Sequence, residues 1–543
     1  MFVACLFAMN KGSSKFEGLL DGYFEQALAD NPIDATFAGL RAGEGHLGHA
    51  SLSFETQQEK RRQKALADLD RISPRDLSNE QHLDRLALRS RLLHESEDFE
   101  RGRHALDPNA LDQVLAILLH ELFRGEDEPK RAARNVRSIL AETPRYLAEA
   151  STLIDRPERI WLKVMQQTAG GAAGLFDAVV AFLDRVEPEP TDRKRIAAAK
   201  ESFQSYERSV KSRPTASEGA FAVGKSILER RVRDELGLDY TLAEIEVLAK
   251  AEIERLRDLL DAACTKFGKN RKPEEIIAEA LSNWNPKGEL IDVYRCTTQK
   301  IADAFRSAKA VTFPPDETLE VRPVPDFMRH LFPTAAYKQP GAFEKRQRGI
   351  FWVNDLSVTK VREEDKRAER AQHFGLSLTC AHEAYPGHHL QFVTSNRHPR
   401  RWRRLFAHAV FYEGWTLWCE QMMVDLKVDR SPWLIVQQLH DALWRSHRIL
   451  VDLYLQTRRY TYEQAVRHMQ RHLGFTKARA EADVSWYTAQ PAVPMSYWLG
   501  RLENQRLHRR LIEGRGWSLQ RFNDWLLSFG TLPQAWVEKY GLD

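Results

Sequence analysis

His382-Glu383-Ala384-Tyr385-Pro386-Gly387-His388-His389 stands about two-thirds of the way along a chain of 543 residues, and its reading decides what the rest must do. A histidine followed at once by a glutamate, with a further histidine along the same helix, is an arrangement in which two imidazoles hold a metal ion. The carboxylate then works on the water that the metal activates. In the common spacing the second histidine comes four residues after the first, one turn up on the same face. Here that position, 386, is proline.

Proline inside a helix removes a backbone hydrogen bond and clashes with the carbonyl four residues back, so the turn holding Tyr385, Pro386 and Gly387 is expected to bulge or kink. In an unbroken helix His382 and His388 would be separated by roughly 9 Å of rise and would point to different faces. A shared ion therefore requires the bulge to absorb about two residues. Gly387 then precedes the metal histidine and lets the backbone pack closely, which leaves His389 as a group beside the ligands or facing substrate. Two other His-Glu pairs, His94-Glu95 and His120-Glu121, have no second histidine within two turns and read as surface helix residues.

A third ligand comes from Phe411-Tyr412-Glu413-Gly414-Trp415-Thr416-Leu417-Trp418-Cys419-Glu420. Glu413 falls 25 residues after His388, far enough for a loop and a return on a second helix. An unpaired carboxylate in this apolar, aromatic run would be costly to bury, so it needs zinc or an imidazole beside it. Glu420 lies two turns on, near the same face. It reads either as a solvated carboxylate or as an acceptor that orients a metal histidine.

HEAYPGHHLQ (His382 to Gln391) and EGWTLWCE (Glu413 to Glu420) together resemble the bacterial domain of unknown function 885 family, which is grouped with the gluzincin metallopeptidases. The resemblance is strongest from about residue 320 to 505. Related gluzincins carry HE, a spacer and then GH, and alignment on that GH selects His388 over His389 as the second ligand. The resemblance implies a zinc ion held by His382, His388 and Glu413, with Glu383 handling protons.

The charge is nearly balanced, with 80 Lys and Arg against 76 Asp and Glu, and no zinc-finger or nucleic-acid signature is present, which argues against a nucleic-acid binder. Five cysteines without metal-type spacing read as free thiols of a reducing compartment. No run approaches 18 apolar residues, so no transmembrane segment is expected. The apolar start, Met1 to Met9, is too short for a full secretory core, and a cytoplasmic protein is the first expectation. Val3-Ala4-Cys5 is similar to the end of a lipoprotein signal, so an exported or lipid-anchored protein with a start further upstream is the alternative.

From about Phe16 to Ala310 the pattern is helical. The clearest segment runs from Thr241 to Cys264, with Leu242, Ile245, Ala249, Ile253, Leu256 and Leu260 on one face and a capping box, Thr241 to Glu244, at its start. Further helices are expected around 56–72, 80–100, 128–150, 192–211 and 217–236, with breaks at Gly170-Gly171, Glu187 to Pro190 and Arg213-Pro214. This N-terminal region, 1–310, is expected to wall the active-site cleft, and 311–543 to carry the catalytic part, the two forming one continuous body. Val311 to Pro315, Leu319 to Pro325 and Gly349 to Asn354 read as short strands, the only sheet in sight. Phe351 to Asn354 is the expected edge strand along which an extended peptide would pair, and Asn354 is a substrate-binding candidate or a strand-ending turn residue.

The basic Arg397 to Arg404 segment reads as a solvated loop and helix start. The helix near 431–459 places Arg448, Asp452 and Gln456 on one stripe. Arg448 is a substrate-binding candidate, although it could equally pair with Asp452, and Gln456 stands where the family often has histidine. The stretch from Tyr487 to Gly500 resembles the family's Y…P…Q…SY…G element, with Val493 where glutamine is frequent. Tyr487 is a further substrate contact, and Tyr497 is the candidate donor to the oxyanion of a tetrahedral intermediate.

These residues point to a mainly helical, zincin-like body with a small sheet beside the cleft. Its expected activity is that of a zinc-dependent peptidase: Glu383 as general base and acid, and Tyr497, with His389, at the oxyanion. Peptides or small amides are the expected substrates. A zinc hydrolase of a non-peptide amide or ester would use the same residues, and a helical interaction protein with a degenerate site is the non-enzymatic alternative.

Overall fold

Thr241 opens its helix as the sequence requires. Its hydroxyl accepts from the Glu244 N–H at 3.2 Å, and the Glu244 carboxylate accepts from the Thr241 N–H at 2.8 Å. The computed structural model that contains this cap describes residues 11–284, 286, 288–324, 334–355, 362 and 370–542. Met1 to Met9, with Cys5, lie outside them. The described residues form a mainly helical protein with one small three-stranded sheet. Cys264, Cys296, Cys380 and Cys419 are free thiols, and no described helix is long and apolar enough to cross a membrane.

The chain divides into two compact units. The first comprises Met1–Ser217, Arg400–Phe406 and Trp536–Asp543. Its main helices are α1 (Lys11–Asp30), α2 (Leu52–Asp70), α3 (Asn79–Glu100), α4 (Ala110–Arg124), α5 (Pro129–Leu153), α6 (Arg159–Val186) and α7 (Asp192–Lys211). Three sequence expectations need correction here. Gly170-Gly171 does not break α6, because Leu175, Phe176, Val179 and Leu183 are buried along it, and that burial outweighs a helix penalty of about 1 kcal/mol per glycine. His120 and Glu121 are buried in α4, not on the surface. The basic segment is not solvated either. Arg403 is fully buried, with Glu80 and Asp84 as its partners, and Arg400 pairs with Asp84 and with Glu17 at 2.8 Å.

The second unit comprises Glu218–Pro399 and Ala407–Ala535. It holds α8 (Lys225–Asp234), α9 (Leu242–Thr265), α10 (Leu290–Ser307), β1 (Glu317–Pro323), β2 (Ala335–Lys338), β3 (Gln347–Val353), α11 (Leu376–Glu383), α12 (His388–Ser395) and α13 (Ala409–Asp425). After these come α14 (Leu434–Gln456), α15 (Tyr462–Leu473), α16 (Lys477–Ala489), α17 (Val493–His508) and α18 (Leu519–Ser528). The apolar face expected on α9 is buried and packs against α14.

The strand order is β1-β3-β2, with β1 parallel to β3 and β2 antiparallel to it. Phe351 is opposite Val321 on one side and Tyr337 on the other. The run ending at Val353 is thus the central strand and not the edge. Its continuous apolar sequence, Ile350-Phe351-Trp352-Val353, is what a strand with two neighbours and two covered faces carries. The edges are β1 and β2, and the Ala335-Ala336-Tyr337-Lys338 of β2 has too little strand character to read in advance. Val311 to Pro315 forms no strand.

α13 is buried on nearly every face from Ala409 to Met423. It crosses α17 at two glycines. A Cβ on Gly414 would sit 2.5 Å from the Gly500 backbone, and one on Gly500 would sit 1.9 Å from the Val410 carbonyl oxygen. Only hydrogen fits at this crossing.

Candidate metal centre

The proline-interrupted motif is not a bulged helix. α11 ends at Glu383, Ala384 to Gly387 form a link, and α12 begins at His388. The chain folds back so closely that a Cβ on Gly387 would fall 1.8 Å from the His382 carbonyl oxygen. The indole Nε1 of Trp415 donates to the Pro386 carbonyl at 2.8 Å and holds the link against α13. This return brings the first residue of α12 alongside the penultimate residue of α11, with the rings of His382 and His388 5.0 Å apart between centroids.

Glu413 completes the set. Its Oε2 lies 3.6 Å from His382 Nε2 and 3.7 Å from His388 Nε2. These separations are too long for good hydrogen bonds, and Oε2 is buried without a hydrogen-bond partner. Ligand atoms bound tetrahedrally at zinc's usual bond lengths stand about 3.3 Å apart. Among the described residues this is the one cluster of three or more His, Cys, Asp or Glu whose ligand atoms all lie within 4.8 Å of one another. An orphaned carboxylate oxygen facing two imidazole nitrogens fits a divalent cation.

Neighbouring groups orient the set. Glu420 is buried and accepts from His382 Nδ1 at 2.8 Å, which leaves Nε2 directed at Glu413. Burial opposes a charge on His382, but Glu413 and Glu420 outweigh it and push the ring up to about 10. His388 has no second carboxylate at hand, and burial pushes it down to about 4. Burial also raises Glu383 to about 7; His382 pulls it down, while Glu413 and Glu420 push it further up. The Tyr337 backbone N–H on β2 also acts on Glu383 and lowers it. Glu413 is held below the ordinary carboxylate value because contacts with both histidines, and the Tyr497 hydroxyl, outweigh its burial.

The structure gathers five of the expected residues: His382, Glu383, His388, Glu413 and Tyr497. Arg448 stacks over the Tyr497 ring, 4.5 Å from its centroid. The other expectations are placed differently. His389 turns away and is fully buried, with Nε2 on Glu317 at 2.6 Å and Nδ1 on the Tyr337 hydroxyl at 3.0 Å. Both nitrogens are occupied, so it braces β1 and β2 and offers nothing to an oxyanion. Asn354 is 2% exposed; its N–H donates to Thr334 at 2.7 Å and its carbonyl accepts from His373 at 3.0 Å, the bonding of a strand-ending residue and not of a substrate contact. Tyr487 is fully buried, its hydroxyl accepting from Arg448 Nε at 2.9 Å and donating to Asp483 at 3.2 Å. It positions Arg448 and has no face for substrate. Asp452 accepts from the Met495 N–H at 3.3 Å, and Gln456 joins the Val223 N–H to the Tyr487 carbonyl. The polar stripe therefore does not pair along itself.

Glu317 was not legible from the motif. It collects hydrogen bonds from His389 and from the Tyr385 hydroxyl at 2.7 Å, yet it lies more than sixty residues upstream on a strand, and no spacing rule reaches it.

The fold is shared with a candidate lipoprotein of unknown function from Shewanella oneidensis, at a TM-score of 0.77 and 19% identity over 97% of this chain and 100% of that one. It is also shared with a candidate lipoprotein from Colwellia psychrerythraea, at a TM-score of 0.76 and 17% identity over 98% of each chain. No curated protein matches the sequence. The family model for bacterial proteins of unknown function designated DUF885 matches residues 32–539, well beyond the segment carrying the two motifs, and the chain belongs to that family.

Proposed function

We propose that this protein is a zinc-dependent hydrolase of gluzincin type that cleaves peptide bonds. The observation that carries the reading is the buried, unpartnered Oε2 of Glu413, 3.6 and 3.7 Å from the Nε2 atoms of His382 and His388. These three residues would hold the ion. When bound, zinc supplies Lewis acidity that lowers the pKa of water and polarises a carbonyl.

The chain's own residues account for the rest. Glu383 is not one of the three clustered ligand residues, and its raised carboxyl suits it to accept a proton from the attacking water and return it to the leaving amine. Tyr497 keeps its proton because burial and Glu413 push its hydroxyl well above the usual value. It serves as a hydrogen-bond donor to the oxyanion. β2 is paired on one side by β3 and places the Tyr337 N–H at Glu383, which supports a zincin-like arrangement with an extended peptide beside the edge strand.

The two structural neighbours are candidate lipoproteins, which favours the exported or lipid-anchored alternative over a cytoplasmic location. Metal analysis of untagged protein purified without chelator tests the premise. Close to one zinc per chain, with peptide cleavage abolished in Glu383→Gln, is the expected result. A chain that takes up no zinc even on addition would overturn it.

A further inference from the structure

Arg448 is a buried guanidinium without a carboxylate. Its side chain, on α14, is 7% exposed; Nε donates to the Tyr487 hydroxyl at 2.9 Å, while Nη1 is buried and has no partner. Two other buried arginines are treated differently, Arg137 being bonded to Asp192 and Arg403 to Asp84; buried Arg501 shares the unpartnered Nη1 but lies over Trp418, with Gln421 beside it, and not over Tyr497. Around Arg448 the walls are aromatic, with Cζ 4.2 Å from the Trp444 ring centroid and 4.5 Å from that of Tyr497. Asp483 is engaged only through the Tyr487 hydroxyl. Ring faces favour a cation but accept no strong N–H hydrogen bond, so the planar fork is left with an unused donor.

Its location gives that donor a purpose. The Tyr497 ring on which Arg448 stacks carries a hydroxyl that acts electrostatically on Glu413, so one tyrosine separates the guanidinium from the metal set. A guanidinium matches a carboxylate in two parallel hydrogen bonds, and aromatic walls that exclude water strengthen the pairing. We propose that Arg448 anchors the free C-terminal carboxylate of the substrate, so that the enzyme removes a residue or short fragment from peptide C-termini. This rests on the zinc-hydrolase reading above. In the cleavage, the C–N bond preceding the terminal fragment breaks, the oxygen of water forms the new C–O bond, and its proton passes through Glu383 to the leaving amine.

The test is digestion of one peptide library in two forms, with free C-terminal acids and with C-terminal amides. Zinc-loaded wild type, Arg448→Gln, Arg448→Lys and Glu383→Gln are compared, with products read by mass spectrometry. The expected result is trimming of the acids from the C-terminal end, with amides slower in kcat/KM on the order of 100-fold. In Arg448→Gln the acid-to-amide ratio should fall toward one at unchanged zinc content, and Arg448→Lys should restore part of it. Should Arg448→Gln fail to fold or to hold zinc, the wild-type ratio decides alone. Equal rates on acids and amides, or products arising only from N-terminal or internal cleavage, overturn the anchor but leave the hydrolase. A preference that follows an acidic side chain regardless of amidation also overturns it. Absence of any Glu383-dependent cleavage sinks the hydrolase and the anchor with it.

Discussion

Trp415 Nε1 donates to the carbonyl oxygen of Pro386 at 2.8 Å, both groups being buried. The residue two after the third candidate ligand thereby holds the link between the first and second. The two motifs are parts of one device: the link sets where His388 points, and α13 sets where the link lies. Trp415→Phe keeps most of the packing and removes the donor. Its zinc affinity should fall about tenfold, as when outer partners of a site are lost, measurable by chelator competition; unchanged affinity would mean that Gly387 alone holds the link.

Glu420→Gln keeps the size of the acceptor that orients His382 through Nδ1 but removes its charge. Zinc affinity should drop roughly 10- to 100-fold with the fold intact. Titration against a fluorescent zinc indicator would read this directly.

The two adjacent histidines should separate cleanly. His388→Ala should lose the metal, because its Nε2 faces Glu413. His389→Ala should retain zinc and lower the melting temperature, because it removes a donor from the buried Glu317 carboxylate. Glu383→Gln should retain zinc and lose turnover by several orders of magnitude. Zinc loss in His389→Ala with retention in His388→Ala would reverse the assignment.

Two glycines should respond with opposite signs. Gly500→Ala forces a methyl toward the Val410 carbonyl at the crossing of α13 and α17 and should cost about 3 kcal/mol. Gly170→Ala, in α6 with nothing within 4 Å of the added carbon, should stabilise by roughly 0.5–1 kcal/mol. Thermal unfolding of both variants distinguishes packing from helix propensity as the governing term.

Acid should destabilise the second unit through its buried histidines before carboxylates of ordinary pKa titrate. His373 is pushed down to about 4 by burial, its Nε2 bonded to the Asn354 carbonyl and its Nδ1 to the Tyr294 hydroxyl; His408 is likewise buried and lowered to about 4. The unfolded chain binds these protons near 6.5 and the folded chain near 4, so between those values the unfolded state holds more protons. The stabilising contribution is complete above about pH 6.5 and is lost progressively toward pH 4. At pH 5 the loss should approach about 2 kcal/mol per group. Denaturant midpoints at pH 7.5 and 5.0 provide the check, and equal midpoints would contradict it.

The helices of the first three hundred residues were legible because periodicity and caps are local properties, as the Thr241 capping box demonstrates. Gly170-Gly171 misled for the same reason. A local penalty was visible, and the burial of Leu175, Phe176 and Val179 that overcomes it was not. The strand from Gln347 to Val353 was visible, but its place between two neighbours was not, since pairing partners leave little mark on a short apolar run.

At the candidate site, residue types and spacing along the sequence pointed to His382, Glu383 and Glu413, because imidazoles and carboxylates in an apolar run must meet something that satisfies them, while the family resemblance selected His388 over His389 and pointed to Tyr497. Tertiary structure alone decided what each neighbour does. It sent His389 to Glu317 and Tyr337, made Tyr487 the support of Arg448, and buried Asn354 at the end of β3. Those roles depend on which strands and helices close around a side chain. That closure is set by long-range packing such as the Gly414–Gly500 crossing, which no local pattern in the sequence encodes.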